Sequence, residues 1–254
     1  MTLFDPQAKL DWHAHVFDAG VGVVAGARYA PTRSATPEEF VDNFNNAGLN
    51  GGLLVQPSFL GTDNSQMIDA IAAYPDKLKG IAVVDIDIDA ATMNTMTHAG
   101  IIGCRLNLFG KEVPNLRSGN WPAFLRKLEE ADWQLELHAP PRYLIQVLPM
   151  LRDFASDVVI DHFGRPDIDK GLDDYDYREF LSLLNPQRHW VKTSGWYRLG
   201  AVPSVGLERA MAAKQLLEHA GMGKRLLWGS DWPHTQHDTI TYSDALAAKT
   251  ALNM

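Results

Sequence analysis

Short apolar runs rich in β-branched residues alternate eight times with longer segments of helical period, and that alternation limits the fold more than any other feature of this chain. The runs that read as strands are 10–17, 51–58, 78–85, 101–109, 133–139, 157–163, 189–196 and 225–231. Between them lie helical segments at 36–47, 64–74, 89–99, 121–131, 141–155, 175–185 and 203–220, with about three further turns over Ser243–Asn253. Thr36-Pro37-Glu38-Glu39 places a capping residue before proline, with a glutamate three residues after the threonine, which is how helices start. Gly48, Gly100 and Gly221 stand where helices should stop. Gly52-Leu53-Leu54-Val55 and Val158-Val159-Ile160 are apolar without alternation, as strands covered on both faces are in a parallel sheet. The expected fold is therefore α/β, a (β/α)8 barrel in one domain over 1–254. An open doubly wound sheet is the alternative, but no Gly-x-Gly-x-x-Gly turn follows the first strand.

Barrels of this kind carry their chemistry at the C-terminal ends of the strands. His13 and His15 end the first run, and their period-two spacing puts both imidazoles on one side of a strand. Arg105 lies on the fourth run, His138 ends the fifth, Asp161-His162 ends the sixth, Lys192 lies on the seventh ahead of Arg198, and Asp231 ends the eighth. Four of the nine histidines thus stand at strand ends. Each residue also has a plainer reading. His162 taken alone suits a satisfied core histidine, Asp231 a turn cap, and Arg105 and Arg165 ion pairs at the rim. Asp161 neighbours His162 and is expected to face away from the barrel interior, as a structural residue. His98 and His219 sit at helix ends, where imidazolium complements the dipole, and His189 precedes the seventh strand on the barrel floor. His234 and His237 follow the eighth strand and stand behind the site or against substrate. The 18–35 segment is long for a βα connection, and with 109–120 and 197–203 it shapes any pocket.

A formal net charge of -8 argues against nucleic acid or an anionic membrane surface as the main partner. The single cysteine, Cys104, excludes an intramolecular disulfide and sits in an apolar run, as a buried inert thiol does. Residues 1–6 lack a basic region and an apolar stretch, and no run of about 18 apolar residues exists, so neither a signal peptide nor a membrane span is expected and the location is expected to be cytoplasmic.

With these residues in view the chain resembles the amidohydrolase superfamily, and within it the branch of 2-pyrone-4,6-dicarboxylate hydrolases and sugar-lactone hydrolases. The segments that carry the likeness are Asp11-Trp12-His13-Ala14-His15-Val16-Phe17, Val159-Ile160-Asp161-His162-Phe163-Gly164-Arg165-Pro166-Asp167 and Leu227-Trp228-Gly229-Ser230-Asp231-Trp232-Pro233-His234. Gly61-Thr62-Asp63-Asn64, Arg105-Leu106-Asn107 and Tyr197-Arg198-Leu199 add weaker support. The resemblance implies lactone hydrolysis of a small anionic substrate. Asp231 is then the general base, and His13, His15 and His162 are the catalytic groups that stabilise the oxyanion. Arg105, Lys111, Arg165, Arg198, Tyr29 and His234 are the expected substrate contacts, the arginines because guanidinium forks match carboxylates.

Two departures qualify that picture. The pyrone-dicarboxylate branch, as the resemblance implies, works without a metal and has no histidine at the fifth strand, whereas His138 stands there in this chain. One divalent ion, zinc by ligand type, held by His13, His15, His138 and Asp231 is therefore an alternative to metal-independent catalysis. Only 23 residues follow Asp231, so the eighth helix is expected to be shortened, and an apolar flank left open near strands eight and one would favour a homo-oligomer. Two rival functions remain at this stage: a zinc-dependent decarboxylase of an unsaturated or aromatic acid in the same superfamily, and an inactive binding homologue.

Overall fold

The computed structural model describes residues 8–254; the 1–6 segment, read above for a signal peptide, lies outside them. Eight strands form one parallel sheet in sequential order: β1 Leu10–Ala14, β2 Gly51–Val55, β3 Leu78–Ala82, β4 Ile101–Asn107, β5 Gln134–His138, β6 Val158–Ile160, β7 His189–Lys192 and β8 Leu226–Leu227. Each is followed by a helix: α1 Pro37–Asn46, α2 Ser65–Ala73, α3 Ala90–His98, α4 Trp121–Glu130, α5 Pro141–Met150, α6 Tyr175–Ser182, α7 Pro203–His219 and α8 Tyr242–Ala251. Three backbone hydrogen bonds close the circle between the first and last strands. Trp12 N donates to Trp228 O (3.0 Å), Asp231 N to His13 O (2.8 Å) and His15 N to Trp232 O (2.8 Å). The result is the (β/α)8 barrel.

Local chemistry explains the helix limits. Thr36 Oγ1 accepts from Glu39 N at 3.2 Å while Glu39 Oε2 accepts from Thr36 N at 3.2 Å, the reciprocal cap expected from the sequence. α8 is capped in the same way by Thr241 and Asp244. With ten residues α8 is as long as α1, α4 and α5, so it is short only beside α7. It also seals the seam: Tyr242 Oη donates to Asp11 Oδ2 at 3.0 Å, and Asp11 Oδ1 accepts from Ser230 N at 2.8 Å.

The apolar side chains divide into two layers. A large shell fills the space between strands and helices, built on residues such as Phe40, Leu54, Phe124, Leu144 and Phe180. A smaller plug of Trp12, Leu53, Val55, Ile81, Val159, Trp190 and Leu227 fills the barrel axis. Cys104 belongs to the outer shell, and burial, followed by Glu136, pushes its thiol up to about 12, which fits an inert thiol. The strands are shorter than their apolar runs suggest. After β2, β6 and β7 the chain turns into single 3-10 turns at Ser58–Leu60, His162–Gly164 and Trp196–Leu199. Those turns still bury Phe59, Phe163 and Trp196, so hydrophobicity persists where the ladder has ended. Among the described residues no helix is long and apolar enough to cross a membrane.

Candidate active site

The C-terminal strand ends surround a cavity of about 120 Å³ lined by His15, Arg28, Tyr29, Arg105, Asn107, Phe109, His138, His162, Arg165, Arg198 and Asp231, with Pro57, Ser58, Thr235 and Gln236. Asp231 occupies its floor, 1% exposed. Its Oδ2 accepts from Tyr197 Oη at 2.7 Å and Arg198 Nε at 2.8 Å. Its Oδ1 lies 3.6 Å from His15 Nε2 and 3.8 Å from His13 Nε2. Burial alone would raise this carboxyl, but Arg198 and the neighbouring imidazoles outweigh it and hold it well below the usual carboxylate range. Asp231 is therefore ionised at neutral pH.

β1 brings His13 and His15 to this floor by an irregular route. Leu10 and Asp11 pair with Gly51 and Gly52, but Ala14 pairs with Leu54, so the register slips by one residue between them. Asp11 turns out towards α8, whereas both Trp12 and His13 reach the interior. His15 Nδ1 lies 2.6 Å from Val55 O, a carbonyl that can only accept, so Nδ1 carries a proton, and in the neutral ring Nε2 holds the lone pair. His13 is fully buried beneath it, and its Nε2 has no hydrogen-bond partner among the described residues. His162 Nδ1 is 2.9 Å from Ser194 Oγ. Burial pushes His162 down to about 4 and His13 and His138 well below their usual value, so these three rings are neutral at pH 7.

The sixth strand corrects one expectation. Asp161 does not face away from the interior: its Oδ1 is 3.4 Å from His13 Nδ1 and its Oδ2 3.5 Å from Arg105 Nη1. β6 ends at Ile160, and His162, Phe163, Gly164 and Arg165 all take left-handed backbone, with φ of 51°, 57°, 77° and 52°. Alternation stops with the ladder, so two neighbours reach the same space. The same left-handed run turns Arg165 back over the mouth.

Of the expected substrate contacts, Arg105, Arg165, Arg198 and Tyr29 line the cavity. Lys111 is exposed and stands away from the cavity wall, and His234 is buried behind Asp231, beside Tyr197. Arg105 and Arg198 are engaged: Arg105 donates to Gln56 O at 2.5 Å, and Arg198 clamps Asp231 and Thr235 O. Arg165 and Arg28 have no carboxylate partner among the described residues and pack over Phe109, 4.9 and 5.0 Å from its centroid. Burial, then Arg198, lowers Arg165 to about 10, still protonated at neutral pH.

His138 lines the cavity but does not join a ligand cluster with His13, His15 and Asp231. Its Nδ1 lies 3.1 Å from Asn107 Oδ1, and its ring stacks on Phe109. Among the described residues the donor groups that converge within 4.8 Å are His13, His162 and Asp231, and separately His13, Glu136 and Asp161. A His/Asp cluster of a type that holds divalent ions is thus present; of the four expected ligands it contains His13 and Asp231, with His162 and without His15 or His138.

Sequence reasoning named Lys192 but missed Glu136 and the buried ionic layer that the two form below this floor. Glu136 and Lys192 are each fully buried and in direct ion-pair contact. Glu136 was within reach of the pattern, since it is two residues before His138, on the same side of β5. Arg28 and Tyr197, in irregular segments, carried no periodic signal.

Over residues 10–253 the chain matches the Amidohydrolase family. It is 28% identical to the 4-sulfomuconolactone hydrolase of Hydrogenophaga intermedia over 237 residues, 91% of this chain and 76% of that one. It is 26% identical to a 2-pyrone-4,6-dicarboxylate hydrolase of Comamonas testosteroni over 243 residues, 90% of this chain and 78% of that one. A solved structure from Acinetobacter baumannii, described as a probable 2-pyrone-4,6-dicarboxylic acid hydrolase with citric acid bound, superimposes with a TM-score of 0.93 at 49% identity, covering 96% of this chain and 92% of that one.

Proposed function

Because the chain belongs to the amidohydrolase family, we propose that it hydrolyses the lactone ring of a small substrate carrying two or more anionic groups, with 2-pyrone-4,6-dicarboxylate as the lead candidate. One observation carries this reading. A carboxylate clamped on one oxygen turns the other towards two imidazoles, on the floor of a cavity whose wall holds two guanidiniums without carboxylate partners. Both guanidiniums stand at the cavity wall with no carboxylate partner among the described residues, and an anionic substrate supplies what Arg28 and Arg165 lack. The relatives named for dicarboxylate and sulfonated lactones, and citric acid in the Acinetobacter structure, support the same substrate class.

The chemistry follows from the proton positions. A water seated on the cavity side of Asp231 Oδ1 and His15 Nε2, which stand 3.6 Å apart, reaches both and presents its oxygen lone pair to the lactone carbonyl. Asp231 takes one proton as the C–O bond forms. Imidazole N–H groups of His13 and His162 stabilise the oxyanion. Collapse of the tetrahedral adduct breaks the ring C–O bond, and the proton on Asp231 passes to the leaving oxygen. A neutral His15 with its proton on Nδ1, as the contact with Val55 O requires, accepts at Nε2, so its place is at the water and not at the oxyanion.

A divalent ion does not suit this floor as it stands. Imidazole and carboxylate are fitting donors, but the Lys192 ammonium lies 3.2 Å from His13 Nδ1, and Arg198 already neutralises Asp231. Both cations oppose a third, and no step above passes through a metal.

The decisive assay follows purified protein with 2-pyrone-4,6-dicarboxylate and sulfomuconolactone by mass spectrometry. Ring-opened acid heavier by one water is expected. Release of carbon dioxide, or no turnover of any anionic lactone by folded protein, overturns the reading.

A further inference from the structure

Lys192 ends β7 with its side chain fully buried inside the barrel, where an ammonium is retained only if its hydrogen bonds are made. It does not line the cavity, so substrate is not its partner. Its close contacts are Glu136 and His13: an ion pair with the Glu136 carboxylate and 3.2 Å from Nζ to His13 Nδ1, with Asp161 Oδ1 farther off at 3.9 Å.

An ammonium has donors and no acceptor. At hydrogen-bond distance from Nδ1 it requires that nitrogen to offer a lone pair, which puts the ring proton of neutral His13 on Nε2. Asp161 Oδ1, 3.4 Å from the same Nδ1, and Glu136 Oε1, 3.8 Å from it, pull the opposite way, because a carboxylate would favour Nδ1–H. The geometry favours the lysine: its Nζ is nearer to Nδ1, at 3.2 Å against 3.4 Å, Glu136 is already engaged by Lys192, and the other oxygen of Asp161 faces Arg105. His13 Nε2 points upward to the floor with no hydrogen-bond partner among the described residues, 3.8 Å from Asp231 Oδ1. With a proton that nitrogen is a donor to a developing oxyanion. With a lone pair it repels the oxyanion and becomes a metal ligand.

We propose that Lys192, held by Glu136, is a positioning residue that fixes His13 in the Nε2–H tautomer and so makes the floor an oxyanion donor in preference to a metal site. His15, tied through Nδ1–H to Val55 O, takes the opposite tautomer. His13 on β1 and His15 just past its end thus divide the work, one turned to the oxyanion and one to water. The catalytic part of this assignment rests on the lactonase reading above, whereas the tautomer itself does not.

The test is long-range 1H–15N spectroscopy of substrate-free protein labelled with 15N-histidine, with the His13 signals identified by their loss in His13→Gln. Wild type is expected to show His13 protonated on Nε2. Lys192→Met should shift the proton to Nδ1. Because Lys192→Met leaves Glu136 buried without its partner, the double variant Glu136→Gln/Lys192→Met, which keeps the layer's charge balance, is measured beside it. Lys192→Arg, which also only donates, should retain the wild-type tautomer. For the double variant kcat should fall about 100-fold with KM within about twofold. Titration calorimetry with zinc chloride should show at least about tenfold tighter binding than wild type, because Nε2 is freed as a ligand. An Nδ1–H tautomer in wild type, an unchanged Nε2–H tautomer in a folded double variant, or unchanged zinc affinity overturns the proposal. Failure of every lactone in the activity assay, with the tautomer as stated, removes only the catalytic reading.

Discussion

Asp231 stands in left-handed backbone with φ of 61°, a conformation that aspartate tolerates better than most residues. That placement swings its carboxylate under the cavity, where Tyr197 and Arg198 fix one oxygen and leave the other to the imidazoles. Asp231→Asn keeps the shape and removes the base. Its kcat should drop by about 10²–10⁴, the usual contribution of a positioned base. Binding of a non-hydrolysable dicarboxylate such as pyridine-2,4-dicarboxylate should survive, because the cations of the wall are intact. Calorimetry and initial rates check both halves, and more than a tenth of wild-type kcat in the variant rules Asp231 out as the base. Arg165 calls for the opposite kinetic signature. It faces the cavity without a carboxylate partner among the described residues, so Arg165→Met should raise KM for a dicarboxylate lactone roughly 30-fold with little change in kcat. A monoanionic lactone that cannot reach this guanidinium should lose less.

Elements were legible to the extent that periodicity persists within them. All eight helices lie within their sequence-derived ranges or within one residue of them, because caps and stop residues act locally: Thr36 and Gly48 bracket α1 through their own hydrogen bond and φ. Strand ends were less legible. The apolar run through Phe163 continues because the turn after β6 is buried, and the switch to left-handed backbone there cannot be read from side-chain type. Thus His162 was placed in the site and Asp161 was not. The one-residue slip in β1 is of the same kind, since it depends on pairing with β2. His189, at the start of β7, was read as structural, and the structure gives that reading an energetic consequence. Burial, followed by Arg188, pushes its pKa down to about 4, and its Nδ1 accepts from Asn185 N at 3.1 Å. The unfolded chain, with an ordinary value near 6.5, therefore binds more protons than the folded chain between about pH 6.5 and 4, so stability is present above that window and is lost as pH falls through it. Integrating over that window, the loss from pH 7 to 4.5 is about 2 kcal/mol from this residue. Urea unfolding at the two pH values should show His189→Gln less stable at pH 7 but less acid-sensitive by about that amount. Equal acid sensitivity in both proteins would remove His189 from the account.

At the scale of the molecule, two charge distributions compete for an anionic substrate. The chain carries a formal net charge of -8, which repels a dianion at long range. The cavity presents Arg28, Arg105, Arg165 and Arg198, which attract it at short range. The first term was plain from composition. The second was legible only in part, because Arg28 comes from the irregular 18–35 segment, which folds back to the mouth through Val24 N on Phe59 O (2.9 Å) and Tyr29 Oη on Thr235 Oγ1 (3.2 Å). Salt separates the two terms by range. At about 0.01 M the Debye length is about 30 Å and the whole surface is felt; at about 0.1 M it is about 10 Å, which removes most of the distant repulsion and spares the mouth; at about 1 M it is about 3 Å, which screens the mouth as well. If the cavity arginines govern capture, kcat/KM for a dicarboxylate lactone should hold or rise from 0.01 to 0.1 M salt, then fall roughly fivefold by 1 M. Over the same range kcat should change little, since the chemistry takes place in a site where Asp231 is 1% exposed. A neutral lactone of similar size serves as the control and should give a flat profile. A continuous rise of kcat/KM to 1 M for the dianion means that net charge outweighs the mouth, and the arginine wall would then be a device for holding the substrate rather than for attracting it.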